Sequence, residues 1–180
     1  EHLRGDDVSD LTRIRLLVCD VDGVLTDGRI IYDSAGAETK QFHVRDGSGL
    51  KYWLRAGHVA ALLSGRSCAA TERRAAELGI SLVEQGVKEK WPVMERILQA
   101  AGCTADEAAY VGDDLPDLPV MLRVGCPVAV ADAVDEVRAA ARRVTALGGG
   151  QGAVREAIEW ILKAQGRWDA IMARYARPDA

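Results

Sequence analysis

Two aspartates stand two residues apart in the run Asp20-Val21-Asp22-Gly23-Val24, directly after the apolar stretch 16–19. Carboxylates at the end of a buried strand are expensive to desolvate. Asp22-Gly23 alone reads as a turn dipeptide, but that leaves Asp20, which adjoins the apolar run, unexplained. A divalent cation would offset both charges. Magnesium suits such a place, since it takes a few carboxylates, water and phosphate oxygens.

Three other clusters could share in that chemistry. Leu62-Leu63-Ser64-Gly65-Arg66 offers a hydroxyl and backbone N–H groups able to hold phosphate oxygens. Read alone, Ser-Gly simply begins a turn. Lys90 falls in the first turn of an expected helix, where a single lysine is ordinarily a solvated charge. Gly112-Asp113-Asp114-Leu115-Pro116-Asp117 packs three carboxylates into five residues. Acidic groups favour helix N-termini, but one cap needs one carboxylate. The others call for a cation or a cationic substrate.

These groups need elements to position them. Strands are expected over 15–19, 58–63, 80–83, 108–111, 127–130 and 143–145. Helices are expected from a cap at Asp46 to Gly57, from Ser67 to Gly79, over 88–101, over 116–124, from Asp132, and over 153–165. Thr104 and Glu107 have capping-box spacing. Ser34-Ala35-Gly36 joins segments 29–33 and 38–44 as a projecting β-hairpin. The alternation predicts an α/β fold, a Rossmann-like parallel sheet with helices on both faces. Between Asp22 and Ser64 there is room for the hairpin and one helix, and none for a large cap domain. The expected organisation is a single domain over 1–180, a hairpin insertion at 29–44 and a C-terminal tail at 148–180. Gly148 to Gly152 reads as a flexible joint that lets the tail swing over the site with Arg155, or as a plain loop before a docked helix. Trp168, Ile171, Met172 and Tyr175 fit one face of a short helix. In such sheets ligands bind beyond the carboxyl ends of the strands. Asp20, Ser64 and Asp113 each end an expected strand.

Composition narrows the classes. The chain has 180 residues, 48% of them hydrophobic, which suits one core. Its net charge of −4 gives no reason to expect nucleic acid or an acidic membrane as partner. No run approaches the roughly 18 apolar residues of a membrane span. No signal-peptide pattern opens the sequence, which begins with Glu rather than Met. Cys19, Cys68, Cys103 and Cys126 show no metal-binding spacing and read as small hydrophobes. Free thiols predict a cytoplasmic protein.

The ordered set Asp20-x-Asp22-Gly23, Ser64, Lys90 and Gly112-Asp113-Asp114-x-x-Asp117 resembles the haloacid dehalogenase superfamily. The resemblance implies a phosphatase with Asp20 as nucleophile and Asp22 as general acid and base. Ser64 and Lys90 would hold the phosphoryl group. Mg2+ would be held by Asp20, the Asp22 carbonyl and Asp113. The sequence resembles one family more narrowly. Asp20-Val21-Asp22-Gly23-Val24-Leu25-Thr26-Asp27-Gly28, His43-Val44-Arg45-Asp46-Gly47 and Gly149-Gly150-x-Gly152-Ala153-Val154-Arg155-Glu156 are similar to 3-deoxy-D-manno-octulosonate 8-phosphate phosphatases. That likeness implies a sugar-acid phosphate substrate, a role in lipopolysaccharide synthesis and a homotetramer. Substrate contacts would fall on Asp22, His43, Val44, Arg45, Asp46, Gly47, Lys51, Arg66, Arg74, Lys90 and Asp114. His43 and Lys51 depart from the Asn and Arg usual there. A phosphatase for nine-carbon sugar acids is the nearest alternative, against which Arg45 and Arg66 speak. An inactive binding domain is the alternative of another class, against which Asp20, Asp22, Lys90 and Asp113 speak.

Overall fold

The computed structural model describes residues 11–176. The outermost parts of the expected domain and tail, 1–10 and 177–180, lie outside the described residues. Six parallel strands form the central sheet in the order β5-β4-β1-β6-β7-β8. They are β1 (Leu16–Cys19), β4 (Val59–Leu63), β5 (Leu82–Glu84), β6 (Ala108–Gly112), β7 (Cys126–Ala129) and β8 (Arg143–Val144). β1 lies between β4 and β6, with Cys19 opposite Leu62 on one side and Val111 on the other. Every side chain of β1 is buried, which is why that strand reads as an uninterrupted apolar run. Strand order reverses between β1 and β6, so the ligand crevice of this architecture opens where Asp20 and Asp113 emerge.

Helices flank the sheet. One group comprises α1 (Val44–Arg55), α2 (Ala69–Leu78), α6 (Ala153–Ala164) and the short α7 (Trp168–Ala173). The other comprises α3 (Lys90–Ala101), α4 (Leu118–Met121) and α5 (Asp135–Ala140). The Rossmann-like sheet with no large cap is therefore as expected.

Several details differ from the expectations. The hairpin is shorter, with β2 (Ile31–Tyr32) paired to β3 (Glu38–Thr39), and Val44 already belongs to α1. Its turn is held by Asp33, whose Oδ1 accepts from Ala35 N and Ala37 N at 2.8 Å each. His43, not Asp46, is the N-cap of α1, with Nδ1 accepting from Arg45 N at 3.2 Å. Asp132 does not begin α5, whose N-cap is Val134. Its carboxylate instead accepts from Gly149 N at 2.9 Å.

Of the two readings of 148–180, the structure shows the loop before a docked helix. Ala153, Val154, Ala157, Ile158, Ile161 and Leu162 are all fully buried, and α6 packs on α1. A Cβ on Gly149 would lie 1.9 Å from the carbonyl oxygen of Gly23, so the two backbones touch. Gly150 donates to the Val24 carbonyl at 3.0 Å. Glycine is required here because another chain segment occupies the space of a side chain. Gly152, at φ +107°, precedes α6 and has no side chain to cap it. Asp46 of α1 does that work from a distance, accepting from Arg155 N at 2.8 Å. Its carboxyl is pushed up by burial, against the pull of that N–H and of those at Gly152 and Val154.

Asp46→Ala should therefore loosen the α1–α6 contact. The expected loss is about 1–2 kcal/mol, the usual cost of removing a helix cap, read as a lower denaturant midpoint at unchanged slope. An unaltered midpoint would show that Asp46 does not cap α6.

Candidate active site

Asp20 leaves β1 with its backbone N–H still bonded to the Val111 carbonyl at 3.0 Å. Its Oδ1 accepts from Val21 N at 2.7 Å, and its Oδ2 lies 3.0 Å from Lys90 Nζ. Lys90 opens α3, yet its side chain is only 2% exposed. It is not the solvated charge of an ordinary first turn. Burial works against its charge, but Asp20 and Asp117 outweigh burial and hold its pKa above the ordinary lysine value.

Asp117 organises the far side. Its Oδ1 accepts from Lys90 Nζ at 2.7 Å and from the Tyr110 hydroxyl at 2.6 Å. Its Oδ2 accepts from Asp113 N at 2.9 Å and Asp114 N at 3.2 Å. Four donors saturate a carboxylate. Gly112 leaves room for this, since a Cβ there would lie 2.7 Å from that of Asp117.

Asp20, Asp113 and Asp117 offer oxygens within 4.8 Å of one another. Asp117 is saturated, whereas Oδ1 of Asp113 is buried with no hydrogen-bond partner. Asp20 and Asp113 thus retain acceptor capacity on facing strand ends. Burial and Asp117 push Asp20 up to about 6, against the opposing pull of Lys90. Burial, Asp20, Asp117 and Asp114 push Asp113 up to about 8. An all-oxygen donor set with surplus negative charge fits a hard cation such as magnesium. Gly23 allows the close approach: at φ +86°, a Cβ there would sit 2.0 Å from Asp113 Oδ2.

Ser64 follows β4, is 2% exposed, and accepts from Arg66 N at 3.3 Å. Asp22 is paired through Oδ1 with Lys40 Nζ, while its Oδ2 is buried without a partner. Glu38 binds Lys40 at 3.0 Å and Arg66 at 2.8 Å. Arg74 leans across Gly47, where a Cβ would meet its guanidinium at 2.2 Å. Val44, Arg45, Lys51 and Asp114 are exposed. Arg45 borders a groove of about 400 Å³ with Gly152 and Arg155. Arg155 does not face the carboxylates of the site. It pairs with Glu159 at 2.6 Å and lies over the rings of Tyr52 and Trp168.

Sequence reasoning placed Asp117 only within the acidic cluster and gave no role to Tyr110, Lys40 or Glu38. Asp117 carried a signal, because its spacing from Asp113 and Asp114 lets one carboxylate collect both N–H groups. Glu38 and Lys40 carried a weaker one, being two apart in an extended segment and so on one face.

Comparison with known proteins shows the family. Residues 80–158 match the model of the haloacid dehalogenase-like hydrolases. The 3-deoxy-D-manno-octulosonate 8-phosphate phosphatase of Haemophilus influenzae is 45% identical over 157 residues, 87% of each chain. That of Escherichia coli K12 is 43% identical over 165 residues, 92% of this chain and 88% of its own. The chain belongs to this phosphatase family. A Moraxella catarrhalis member of the family, solved with a magnesium ion, a phosphate ion and a KDO molecule, superposes with a TM-score of 0.91. It is 42% identical, and the match covers 93% of this chain and 97% of that one. A cobalt-bound Haemophilus influenzae phosphatase gives 0.85 at 45% identity, covering 87% and 92%.

The crowded carboxylates set a pH dependence. Below about pH 4, near the ordinary value of 3.8, Asp113 is protonated in both folded and unfolded chains. Between there and about 8 the unfolded chain releases the proton and the folded one retains it, so stability falls as pH rises. Asp113→Asn should thus raise the melting temperature of the metal-free protein, by an amount that grows between about pH 4 and 8. It should also remove most of the stabilisation that added magnesium gives the parent. A pH-independent difference would contradict this account.

Proposed function

We propose that this chain hydrolyses 3-deoxy-D-manno-octulosonate 8-phosphate to the free sugar acid and phosphate, with magnesium and through an aspartyl-phosphate on Asp20. The activity belongs to lipopolysaccharide biosynthesis. The observation that carries it is the set at the switch point: Asp20 against Lys90, beside an Asp113 oxygen that lacks a partner. The relatives above bear the name of this reaction.

Asp20, Asp113 and the Asp22 carbonyl are the proposed metal ligands. Bound magnesium supplies positive charge that offsets the phosphoryl group as a carboxylate approaches it. Lys90 adds a second charge from the protein side. The Ser64 hydroxyl and the N–H groups that follow it orient the phosphoryl oxygens. A carboxylate oxygen of Asp20 attacks phosphorus, and the bond to the sugar oxygen breaks. Asp22 gives that leaving oxygen its proton, since a sugar alkoxide leaves poorly without one. As a carboxylate, Asp22 then takes a proton from water. The hydroxide formed attacks phosphorus, phosphate departs and Asp20 is regenerated.

The substrate carboxylate and hydroxyls are assigned to Arg66, Arg74, Asp114 and the segment from His43 to Gly47, with Lys51 behind it. Arg74 lying over Gly47 supports one shared subsite. A homotetramer is supported by the family resemblance and by the exposed apolar side chains of Ile30, Tyr32 and Val44 around the hairpin. The four free cysteines support a cytoplasmic setting. No helix among the described residues is long and apolar enough to cross a membrane.

Phosphate release from 3-deoxy-D-manno-octulosonate 8-phosphate is the direct test. It should require magnesium, and exhaustive chelation should abolish it. Asp20→Asn should lower kcat by about 10⁴-fold or more while the protein stays folded. Ordinary turnover in either case would refute the reading.

Arg66→Ala should raise KM for the sugar-acid phosphate by about tenfold or more, the usual worth of a charged hydrogen bond. It should change KM for a neutral aryl phosphate much less. Equal effects would mean that Arg66 does not read the sugar acid.

A further inference from the structure

The hairpin inverts the usual order of burial. Ile30 and Tyr32 are 51% and 61% exposed, whereas the Lys40 side chain is 2% exposed. Burying an ammonium while leaving apolar groups in water is costly, and the ammonium must be fully paired to be tolerated. Lys40 has two partners, Asp22 Oδ1 and Glu38 Oε1. Glu38 is fixed in turn by Arg66 at 2.8 Å. The order along this chain of charges is Arg66, Glu38, Lys40, Asp22. It ends on the Asp22 carboxylate.

The two oxygens of Asp22 are thereby made unequal. Oδ1 accepts from an ammonium, which cannot itself accept a proton. Oδ2 is buried and has no partner. Of the two oxygens, only Oδ2 is left without a partner. We propose that Lys40 is the positioning residue for Asp22. It fixes the rotamer of the acid–base carboxylate and reserves Oδ2 for the leaving oxygen, and Glu38 and Arg66 hold Lys40 in place. The proposal rests on the reading of Asp22 as the acid.

Leaving-group dependence tests it without sugar recognition. For aryl phosphates, kcat/KM reports the steps up to release of the phenol, before the aspartyl-phosphate is hydrolysed. Good leaving groups such as dinitrophenolate need no proton, whereas phenolate does. Lys40→Met keeps the stem and removes the charge. Its loss of kcat/KM should be about tenfold or more on phenyl phosphate and slight on dinitrophenyl phosphate, part of the 10²–10⁴ that a general acid supplies. In an Asp22→Asn background, Lys40→Met should add nothing to the slope against leaving-group pKa. Loss by the same factor on every ester, or an additive loss in the double variant, would mean that Lys40 acts as general scaffolding and would overturn the proposal. If Lys40→Met fails to fold, Glu38→Gln decides, because freeing Lys40 on one side should steepen the slope in the same sense. An unchanged slope there overturns it equally. Asp22→Asn separates the two readings. A steeper slope in that variant but not in Lys40→Met sinks the role of Lys40 alone. An unchanged slope in Asp22→Asn sinks the acid assignment itself.

Discussion

Asp20 and Asp113 emerge from neighbouring hydrogen-bonded strands, and the register of β1 with β6 leaves neither free to move away. Burial pushes both carboxyls up, and nearby carboxylates add to it, Asp117 for Asp20 and Asp20 with Asp117 for Asp113. The rest of the site can be derived from that constraint. Lys90 must be buried to reach Asp20, and a buried lysine stays charged only when surrounded by acceptors. Asp117 provides one and is itself held by Tyr110 and two backbone N–H groups. The surplus negative charge left after Lys90 is what a magnesium ion would balance. The same crowding that disfavours both charges without a metal would favour a cation there.

The same constraint reaches the C-terminal half through two glycines. Gly23 has no side chain because Asp113 occupies that space, and Gly149 has none because Gly23 does. The loop after β1 is thus clamped between the Asp113 carboxylate, just after β6, and the turn that leads into α6. Helix α6 is anchored by Asp46 at its start and by its apolar face along its length. A glycine-rich sequence here marks tight packing rather than freedom. Glycine allows two backbones to meet as readily as it allows one to bend.

Much of this was legible in the sequence because the relevant residues break rules that ordinary cores obey. Carboxylates at Asp20 and Asp113 directly after apolar strands are costly, and that cost is visible in one dimension. The strand alternation and the lack of room for a cap were readable for similar reasons. What could not be read were roles that depend on a partner distant in the chain. Asp46 looks like the local cap of its own helix, yet it caps another more than a hundred positions away. Asp132 looks like a helix start and instead holds Gly149. Lys40 looks like a surface lysine on a hairpin, since nothing nearby in the sequence says that Asp22 will lie against it. Local pattern gives the element, but the sheet order decides which elements meet.

The site is therefore built in two ways. Asp20, Lys90, Asp113 and Asp117 stand on strand ends and a helix start, where backbone hydrogen bonds fix them. Asp22 and Arg66 are tied to the hairpin by ion pairs through Lys40 and Glu38. The hairpin pairs only two residues with two, too little to be stable alone. Its hold on the domain then depends on those charges as much as on its own ladder. Phosphoryl chemistry is served by the rigid half, because a displacement of about 1 Å is enough to cost a hundredfold in rate. The half that holds Asp22 and Arg66 is built from contacts of side chain to side chain. Such contacts can change with sequence without disturbing the strands from which Asp20 and Asp113 emerge.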